Sequence, residues 1–316
     1  MTSSLNRFKR EVAEVKVQGA SAVAVATLEA LGHFFISTGA PRNQAAWAQL
    51  VQTAQELAAV RPTEPMARNL ASWFVAELAA RAKAAGDGKF HWQAEVGKLQ
   101  QELHYRVKEI EAHIARLGSA LVRSKQTIFT HCHSSLAEGI LVRARQAGKS
   151  FMVYHTETRP LFQGRITERH LRRARITSVM VADSAAAWLI SNHSGDDVQV
   201  DWVLLGADSI GKDGSVMNKI GSFAIALSAY DSGIPLYVAA TLLKFDSRSE
   251  SHIELRPRDE LWPGAPKGTQ IINYAFDRIP AQYITAYVTE VGLVKPKDFA
   301  KAARQQYPWL GNKINR

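Results

Sequence analysis

The spacing of hydrophobic residues divides this chain into two halves. Before about residue 120, apolar side chains recur at intervals of three and four, which is the spacing of one face of an α-helix. The pattern predicts helices over 23–35, 45–59, 71–85 and 93–123. We therefore expect the first half to be a helical domain.

After residue 120, short apolar runs rich in β-branched residues alternate with helical segments. The predicted strands are 126–131, 151–155, 176–181, 199–205, 234–239 and 283–288. The predicted helices are 135–147, 166–174, 184–192, 218–230 and 298–306. Because alternating strands and helices favour a parallel sheet covered on both faces, the fold class is α/β. We expect a helical domain over 1–120, a mainly parallel sheet domain over 121–316, and an irregular, proline-containing connection over 246–280.

The composition is that of an ordinary globular protein, with 46% hydrophobic and 22% charged residues in 316. A single cysteine excludes an intrachain disulfide and fits a reducing compartment. The N-terminus lacks an apolar signal core, and no stretch reaches the roughly 18 uninterrupted apolar residues of a membrane helix. We predict a cytoplasmic protein with no membrane partner.

The formal net charge is +10, which raises the question of a polyanionic partner. The densest basic stretch has five arginines between residues 165 and 175, interrupted by Glu168 and His170. This spacing fits an exposed helix face, and no zinc finger or RNA-recognition signature accompanies it. The sequence therefore favours a solvated helix face over a nucleic-acid patch, and no nucleic-acid partner is expected.

The lone cysteine, Cys132, stands between two histidines where a predicted strand gives way to a helix. The backbone amides of Ser134, Ser135 and Leu136 at the start of that helix suit an anion and would stabilise a thiolate. Ser135 and Glu138 fit a capping box. A buried structural thiol is the alternative. A metal site of Cys132 with its flanking histidines is disfavoured, because neighbouring strand residues point to opposite faces.

A carboxylate follows a second predicted strand in the same way, at Asp208. Because open α/β sheets bind ligands at the carboxyl ends of their strands, the thiol and this carboxylate suggest acid–base chemistry on a phosphorylated small molecule. Further along, Asn218 and Lys219 are expected to open a helix. A bound anion would favour Lys219 there, although an ordinary exposed lysine is equally plausible.

Three weaker candidates complete the reading of the residues. Arg159 suits either a phosphate contact or an ion pair with Glu157, the latter being favoured. Asp183 is expected to be an ordinary helix N-cap. In the helical half, the segment 18–21 and Arg61 can each be imagined near a ligand.

Seven blocks of the sequence, taken together and in order, resemble a known family. They are Thr130-His131-Cys132-His133-Ser134, Glu157-Thr158-Arg159-Pro160 with Gln163-Gly164, Asp183-Ser184-Ala185-Ala186, Gly206-Ala207-Asp208-Ser209-Ile210, Asn218-Lys219-Ile220-Gly221, Lys244-Phe245 and Thr289-Glu290-Val291-Gly292. The chain is similar to the sugar-phosphate isomerase and initiation factor 2B alpha/beta/delta family. The resemblance covers about 120–312 well and the helical half loosely.

The resemblance implies a Rossmann-like second domain and an aldose–ketose isomerase. Within the family, the branch that resembles this chain most converts α-ribose 1,5-bisphosphate to ribulose 1,5-bisphosphate, in AMP salvage toward RuBisCO. It implies that Cys132 accepts a proton and Asp208 donates one. The substrate contacts that carry over by position are Gln18, Gly19, Ala20, Ser21, Arg61, Ser134, Ser135, Leu136, Asn218, Lys219 and Lys244.

The resemblance also implies no metal or other cofactor, AMP as activator, and a homo-oligomer, either a dimer or a hexamer built as a trimer of dimers. One departure concerns Gln18, where the family commonly has an arginine, so that the charged phosphate contact is lost. Two alternatives remain at this point. One is an isomerase of methylthioribose 1-phosphate, and the other is a non-catalytic regulatory protein like the initiation factor subunits. Retention of both Cys132 and Asp208 favours an enzyme.

Overall fold

The computed structural model describes residues 3–13, 19–41, 43–85, 90–191, 198–248 and 253–310. The chain forms two compact units, one of Met1–Glu109 with Ala303–Arg316 and one of Ile110–Ala302. Helical structure gives way to α/β structure after residue 119, close to the predicted domain boundary at 120. That boundary itself stays a prediction.

The first unit is helical, as the apolar spacing predicts. Its helices, the last of which runs on into the second unit, are α1 Ser3–Ala13, α2 Ala20–Thr38, α3 Gln44–Ala58, α4 Pro65–Ala85 and α5 Trp92–Ser119. Residues from the end of the chain complete this unit. The ring of Trp309 lies 6.4 Å from that of Trp73, centroid to centroid, and Arg106 stacks on the same Trp73 ring at 5.4 Å.

Helix α2 qualifies the expectation that no segment resembles a membrane span. By length and composition its 19 residues are long and apolar enough to cross a membrane, with a mean hydropathy of 1.4. However, Val23, Leu31 and Phe35 are buried within the helical unit, and Glu29 interrupts the apolar run. This burial is typical of a core helix.

The second unit is built on a sheet whose strands run mostly parallel, as predicted. The strands of the unit are β1 Thr127–Thr130, β2 Met152–Thr156, β3 Thr177–Val181, β4 Trp202–Leu205, β5 Ser209–Ile210, β6 Val216–Lys219, β7 Leu236–Ala239, β8 Phe276–Ile279, β9 Ala286–Thr289 and β10 Gly292–Val294. Within the described residues the main sheet has the order β10-β9-β7-β4-β1-β2-β3, and β10 is its antiparallel strand.

The strand order reverses beside β1. From β1 the chain moves outward through β2 and β3, then returns to β4 on the other side of β1 and moves outward again through β7 and β9. Such a switch point leaves a crevice at the carboxyl ends of the two central strands. The fold therefore predicts a ligand site beyond the ends of β1 and β4.

The helices of this unit cover the sheet and supply its core. They are α6 Ser135–Gln146, α7 Gly164–Arg173, α8 Ala186–Ile190, α9 Ser222–Asp231, α10 Arg258–Leu261 and α11 Phe299–Gln306. The buried face of α6, with Leu136, Ile140 and Leu141, packs on Ile128 and Val153 of the sheet. This is the face that the apolar spacing of the segment predicts.

A second, antiparallel sheet of the order β5-β6-β8 was not predicted. Its strand β6 occupies residues expected to form the first turn of a helix over 218–230, and the helix α9 begins instead at Ser222. Strand β8 and the short helix α10 lie within 246–280, which was expected to be irregular. Asn218 pairs with Asp277 across these two strands, so the extended conformation of β6 is fixed by a partner almost sixty residues away.

Candidate functional site

Cys132 and Asp208 follow neighbouring strands at the switch point. Strands β1 and β4 are parallel with Thr130 opposite Leu204, so the residues that follow both strands emerge at one edge of the sheet. Gly206 brings the two connections together, because a β-carbon at this residue would lie 2.6 Å from Oγ of Ser134. A side chain larger than hydrogen does not fit there. The sequence-predicted thiol and carboxylate therefore share one crevice.

Cys132 has a left-handed backbone, with φ of 65°. Its amide donates to Oγ1 of Thr158 at 3.0 Å, and its carbonyl oxygen accepts from Oγ1 of Thr167 at 2.9 Å. A non-glycine residue in this region costs of the order of 1 kcal/mol and persists only where its surroundings hold it. Two threonines from distant segments supply that support, and neither was among the predicted site residues.

His131 forms the buried base of the site. Its Nε2 lies 2.8 Å from the carbonyl oxygen of Ile220, which can only accept, so we assign the ring proton to Nε2. Nδ1 then accepts from Thr156, 2.6 Å away, whose oxygen accepts in turn from Thr158 at 2.9 Å. Burial lowers the pKa of His131 to about 4. The ring is therefore neutral at physiological pH and holds the threonines that support Cys132.

The environment of the Cys132 sulfur disfavours a thiolate in the free protein. Burial raises the pKa of the Cys132 thiol to about 11, the charge of Lys219 opposes the rise, and the carboxylate of Asp208 adds to it. The expected stabilisation of a thiolate by nearby amides is thus outweighed by desolvation. The same interactions indicate that the charges of Lys219 and Asp208 both lie close to the sulfur.

Two buried lysines border Asp208. Lys219 ends strand β6 with 9% of its surface exposed, and its Nζ lies 5.1 Å from the ring centroid of Phe276. Lys244, 4% exposed, donates from Nζ to the carbonyl oxygen of Ala207 at 2.5 Å. A buried ammonium group is stabilised by negative charge close to it. Their placement therefore suits a ligand that carries phosphate.

The expectation that Asn218 and Lys219 open a helix is wrong. Both lie on β6, and the side-chain Nδ2 of Asn218 donates to Oγ of Ser222 at 2.9 Å. The amino end of α9 is already occupied, because Oδ2 of Asp277 accepts from the amides of Gly221 at 2.7 Å and Phe223 at 3.0 Å. Lys219 consequently acts from a strand end, and two of the amides at the start of α9 already donate to a carboxylate.

The amino end of α6 agrees with the prediction in part. Ser134, and not Ser135, is the N-cap, and its Oγ accepts from the amide of Ala137 at 3.3 Å. Glu138 does not complete a capping box, since its carboxylate accepts from His133 and His170 instead. Ser135 and Leu136 occupy the first turn, where the backbone amides have no partner within the helix. The role of these two residues as a place for an anion stays a prediction.

Gln163, in the segment after β2, and Asp183, after β3, are placed in ways that the sequence did not predict. Gln163 is buried, and its Oε1 has no hydrogen-bond partner among the described residues. Asp183, expected to cap a helix, instead accepts from the amides of Thr158 at 2.8 Å and Arg159 at 2.6 Å. Arg159 forms no ion pair with Glu157 in the described part of the chain, and it donates to the carbonyl oxygen of Leu261 at 3.0 Å.

The remaining predicted contacts belong to the first unit. Gly19, with φ of 90°, is the N-cap of α2, which begins with buried Ala20 and half-buried Ser21. Arg61 forms a buried ion pair with Glu64 at 2.8 Å. Gln18 lies outside the described residues. The assignment of these residues to the substrate stays a prediction.

Comparison with known proteins gives relatives of two named activities. A ribose 1,5-bisphosphate isomerase of Haloterrigena turkmenica is 30% identical over 95% of this chain and 94% of its own. A methylthioribose-1-phosphate isomerase of Dehalococcoides mccartyi is 33% identical over 77% of this chain and 75% of its own. Both alignments cover most of each protein.

Solved structures with the same fold include an initiation factor and an isomerase. The initiation factor eIF-2B of Pyrococcus horikoshii superposes with a TM-score of 0.78 at 24% identity, covering 94% of this chain and 98% of its own. The 5-methylthioribose 1-phosphate isomerase of the same organism has a TM-score of 0.71 at 25% identity, covering 96% and 88%. The family model of the initiation factor 2 subunit family matches residues 16–296. This chain belongs to that family.

Proposed function

We propose that this protein is a sugar-phosphate isomerase that converts α-ribose 1,5-bisphosphate to ribulose 1,5-bisphosphate. The observation that carries the proposal is the position of Cys132 and Asp208 after adjacent parallel strands at the switch point of the sheet. An aldose–ketose isomerisation needs a base and an acid on one substrate, and this pair supplies both. Relatives named as isomerases of two pentose phosphates support the same reaction class.

The two groups work as a pair that shares one proton. The negative charge of Asp208 disfavours a thiolate at Cys132, so ionisation of one group favours protonation of the other. The resting pair is a thiol with a carboxylate, and the reactive form is a thiolate with a carboxylic acid. Lys219 lowers the pKa of Cys132 and so reduces the cost of forming the thiolate.

The reaction follows from that reactive form. Asp208 protonates the ring oxygen of the sugar as its bond to C1 breaks, while the Cys132 thiolate takes the proton from C2. The C1–C2 double bond that results is an enol phosphate. The thiol then returns its proton to C1, the hydroxyl on C2 gives its proton to the Asp208 carboxylate, and C2 becomes the ketone. Each proton taken is returned, so no cofactor is needed for the balance.

The phosphates are assigned to the cationic and amide groups around this pair. Lys219 and Lys244 border Asp208, and the first turn of α6 offers backbone amides beside Cys132. These groups balance the charge of the substrate and lower the cost of the developing enolate. The unpartnered Oε1 of Gln163 suits a sugar hydroxyl, because an amide oxygen accepts a hydrogen bond without adding negative charge.

Methylthioribose 1-phosphate is the second candidate substrate, since relatives of that name reach 33% identity. The bisphosphate is preferred because buried Lys244 adds a second cation to the pocket, which a single phosphate does not need. In Lys244→Gln, we expect turnover of the bisphosphate to fall by at least about 10-fold while the monophosphate is little affected. The exposed Lys212 on the loop between β5 and β6 gives the matched control, Lys212→Gln.

A direct assay tests the proposal. Purified protein is given α-ribose 1,5-bisphosphate or methylthioribose 1-phosphate, each with and without AMP. Turnover of the bisphosphate alone supports the proposal, and turnover of the monophosphate alone assigns the second candidate. Turnover of neither overturns the enzymatic reading in favour of a regulatory protein.

The wider setting is proposed on the family resemblance alone. It comprises activation by AMP, a homo-oligomer of two or six subunits, a cytoplasmic location, and a place in AMP salvage toward RuBisCO. The two AMP arms of the assay test the first of these. The subunit number is tested by the solution measurement described below.

A further inference from the structure

Three side chains outside the Cys132–Asp208 pair converge around one carboxylate. Nδ1 of His133 lies 2.6 Å from Oε1 of Glu138, and Nδ1 of His170 lies 2.7 Å from Oε2 of the same residue. The three potential ligand atoms all lie within 4.8 Å of one another. His133 precedes α6, Glu138 lies in its first turns, and His170 comes from α7, so the cluster joins two packed helices.

The carboxylate at the centre is buried. Glu138 is 6% exposed. Burial raises the pKa of Glu138, but its hydrogen bonds from His133, His170 and Thr167 outweigh this and lower it overall. In the described part of the chain no lysine or arginine pairs with this carboxylate. The centre of the cluster is therefore a carboxylate that is largely removed from water and is contacted by two imidazole rings.

The hydroxyl of Thr167 lies between two acceptors and cannot donate to both at once. Oγ1 of Thr167 lies 2.9 Å from Oε1 of Glu138 and 2.9 Å from the carbonyl oxygen of Cys132. A hydroxyl has one proton, so it donates to only one of these two acceptors at a time. A cation on the carboxylate would release the Thr167 proton for Cys132. The polar neighbours therefore suit the cluster with a bound cation better than the cluster without one.

The donor set matches a borderline transition metal. Two imidazole nitrogens and one carboxylate oxygen form the three-residue ligand set of open zinc sites, in which water takes the fourth position. In a tetrahedral zinc site neighbouring ligand atoms are about 3.3 Å apart. The two nitrogen–oxygen separations of 2.6 and 2.7 Å are shorter than this and the remaining pair of ligand atoms lies within 4.8 Å, so small rotations of the side chains bring the three atoms to that spacing. His170 is 41% exposed, so water and an ion reach the cluster from that side.

We propose that His133, Glu138 and His170 form a binding site for a divalent transition-metal cation, with Zn²⁺ as the best match. The ion lies outside the reacting pair, and Cys132 is not one of its ligands. It acts on the backbone: His133 directly follows Cys132, and Thr167 contacts both Glu138 and the carbonyl oxygen of Cys132. Metal binding therefore fixes the left-handed Cys132 loop and joins α6 to α7.

The test uses metal-stripped, untagged full-length protein titrated with Zn²⁺ by calorimetry, with Co²⁺ absorption as a readout of the ligand set. We expect one ion per chain and a rise in thermal stability. In His170→Ala the affinity falls by at least about 10-fold and the Zn²⁺-dependent rise in stability disappears. His170 is half-exposed, so this variant folds. Glu138→Gln is the second variant, tested for Co²⁺ absorption after its folding has been checked by circular dichroism.

Two controls distinguish this site from others. Exposed His113 on α5 gives the matched histidine control, and His113→Ala binds as the wild type does. Cys132→Ser also keeps its Zn²⁺, because the thiol is not a ligand. Absence of binding at micromolar Zn²⁺ overturns the proposal. Binding that survives His170→Ala but is lost in Cys132→Ser overturns it as well, and assigns the metal to the thiol.

Discussion

At the scale of single residues, Cys132 is positioned through its backbone. Its left-handed conformation is held by Thr158 at the amide and Thr167 at the carbonyl oxygen, and neutral His131 supports the first of these through Thr156. The sulfur takes a hydrogen bond from the backbone amide of His133, which favours its charged form. A base that must give up and take back a proton benefits from this arrangement, because the backbone contacts that position it do not depend on its protonation state.

Replacement of the sulfur tests its role as a base. In Cys132→Ser we expect kcat to fall by about 10²–10⁴-fold, because a serine hydroxyl is a far weaker base, while the substrate still binds. Steady-state assays and calorimetry with the bisphosphate measure the two quantities. An active Cys132→Ala variant would contradict the assignment, since alanine has no proton acceptor.

The acidity of the thiol is predicted to depend on its two charged neighbours. The pKa of Cys132 is raised to about 11 by burial, against Lys219 and with Asp208. We expect Asp208→Asn to lower this pKa and Lys219→Gln to raise it. Since Cys132 is the single cysteine of the chain, the rate of alkylation by iodoacetamide as a function of pH reports its titration alone. An identical titration in all three proteins would show that the charges do not face the sulfur.

Single residues could be predicted from the sequence when their chemistry is local. Cys132 and Asp208 each follow an apolar strand and could be identified from that position. The roles of Thr158, Thr167 and Glu138 could not be predicted in this way. The two threonines lie 26 and 35 residues from their partner Cys132, and Glu138 lies 32 residues from His170, distances at which spacing does not reveal a contact. The histidine cluster was missed for the same reason, since its third member is on another helix.

At the scale of elements, the segment between β4 and α9 contains Asp208 and Lys219 of the site. It forms the short strands β5 and β6, and β6 pairs with β8. The helical spacing that begins at Ile220 extended the predicted helix too far towards the N-terminus. Only the pairing of Asn218 with Asp277 makes the start of that segment extended, and this pairing was hidden in a region dominated by prolines.

The cap of α9 gives a prediction about stability. Burial raises the pKa of Asp277 to about 6, against hydrogen bonds from the amides of Phe223 and Gly221. This folded pKa is above the ordinary aspartate pKa of 3.8, so between these two pH values the folded protein holds a proton that the unfolded chain has released. The stability that comes from this group is therefore lost as the pH rises through 6. Between pH 4.5 and 7.5 the wild type should lose about 2 kcal/mol relative to Asp277→Asn.

Urea unfolding of both proteins across this pH range measures the difference. All other titrating groups are shared, so their contributions cancel in the comparison. A difference in unfolding free energy that stays constant with pH would mean that Asp277 titrates alike in the folded and unfolded chains. A difference that changes with the opposite sign would mean that the carboxylate is stabilised as a charged cap.

At the scale of the whole molecule, the order of elements was largely predictable. Alternation of strands and helices predicts a parallel sheet, and the strand ends carrying Cys132 and Asp208 are neighbours at its switch point. The antiparallel sheet of β5, β6 and β8 could not be predicted, because its strands have two to four residues each and too few positions to show a periodicity. Compactness of the two units depends on contacts across long separations, which the sequence does not display.

The surface of α9 predicts self-association. Phe223, Leu227 and Tyr230 lie on one face of this helix and are exposed, as is Trp188 on neighbouring α8. A contiguous apolar patch on a soluble chain is costly unless a partner covers it. We expect light scattering after gel filtration to give a homo-oligomer for the wild type and a smaller species for Leu227→Lys. Leu293→Lys on strand β10, also an exposed leucine, is the matched control. A wild-type monomer would contradict the prediction.

The return of the last residues to the helical unit has a consequence for biosynthesis. Trp73 packs beside Trp309, and about 230 residues separate them along the chain. As a ribosome makes the protein, the helices before residue 110 emerge early but wait for the entire α/β unit before their final aromatic partner arrives. The nascent helical part is then incomplete throughout most of translation. A chain truncated before residue 303 would lack this aromatic contact altogether.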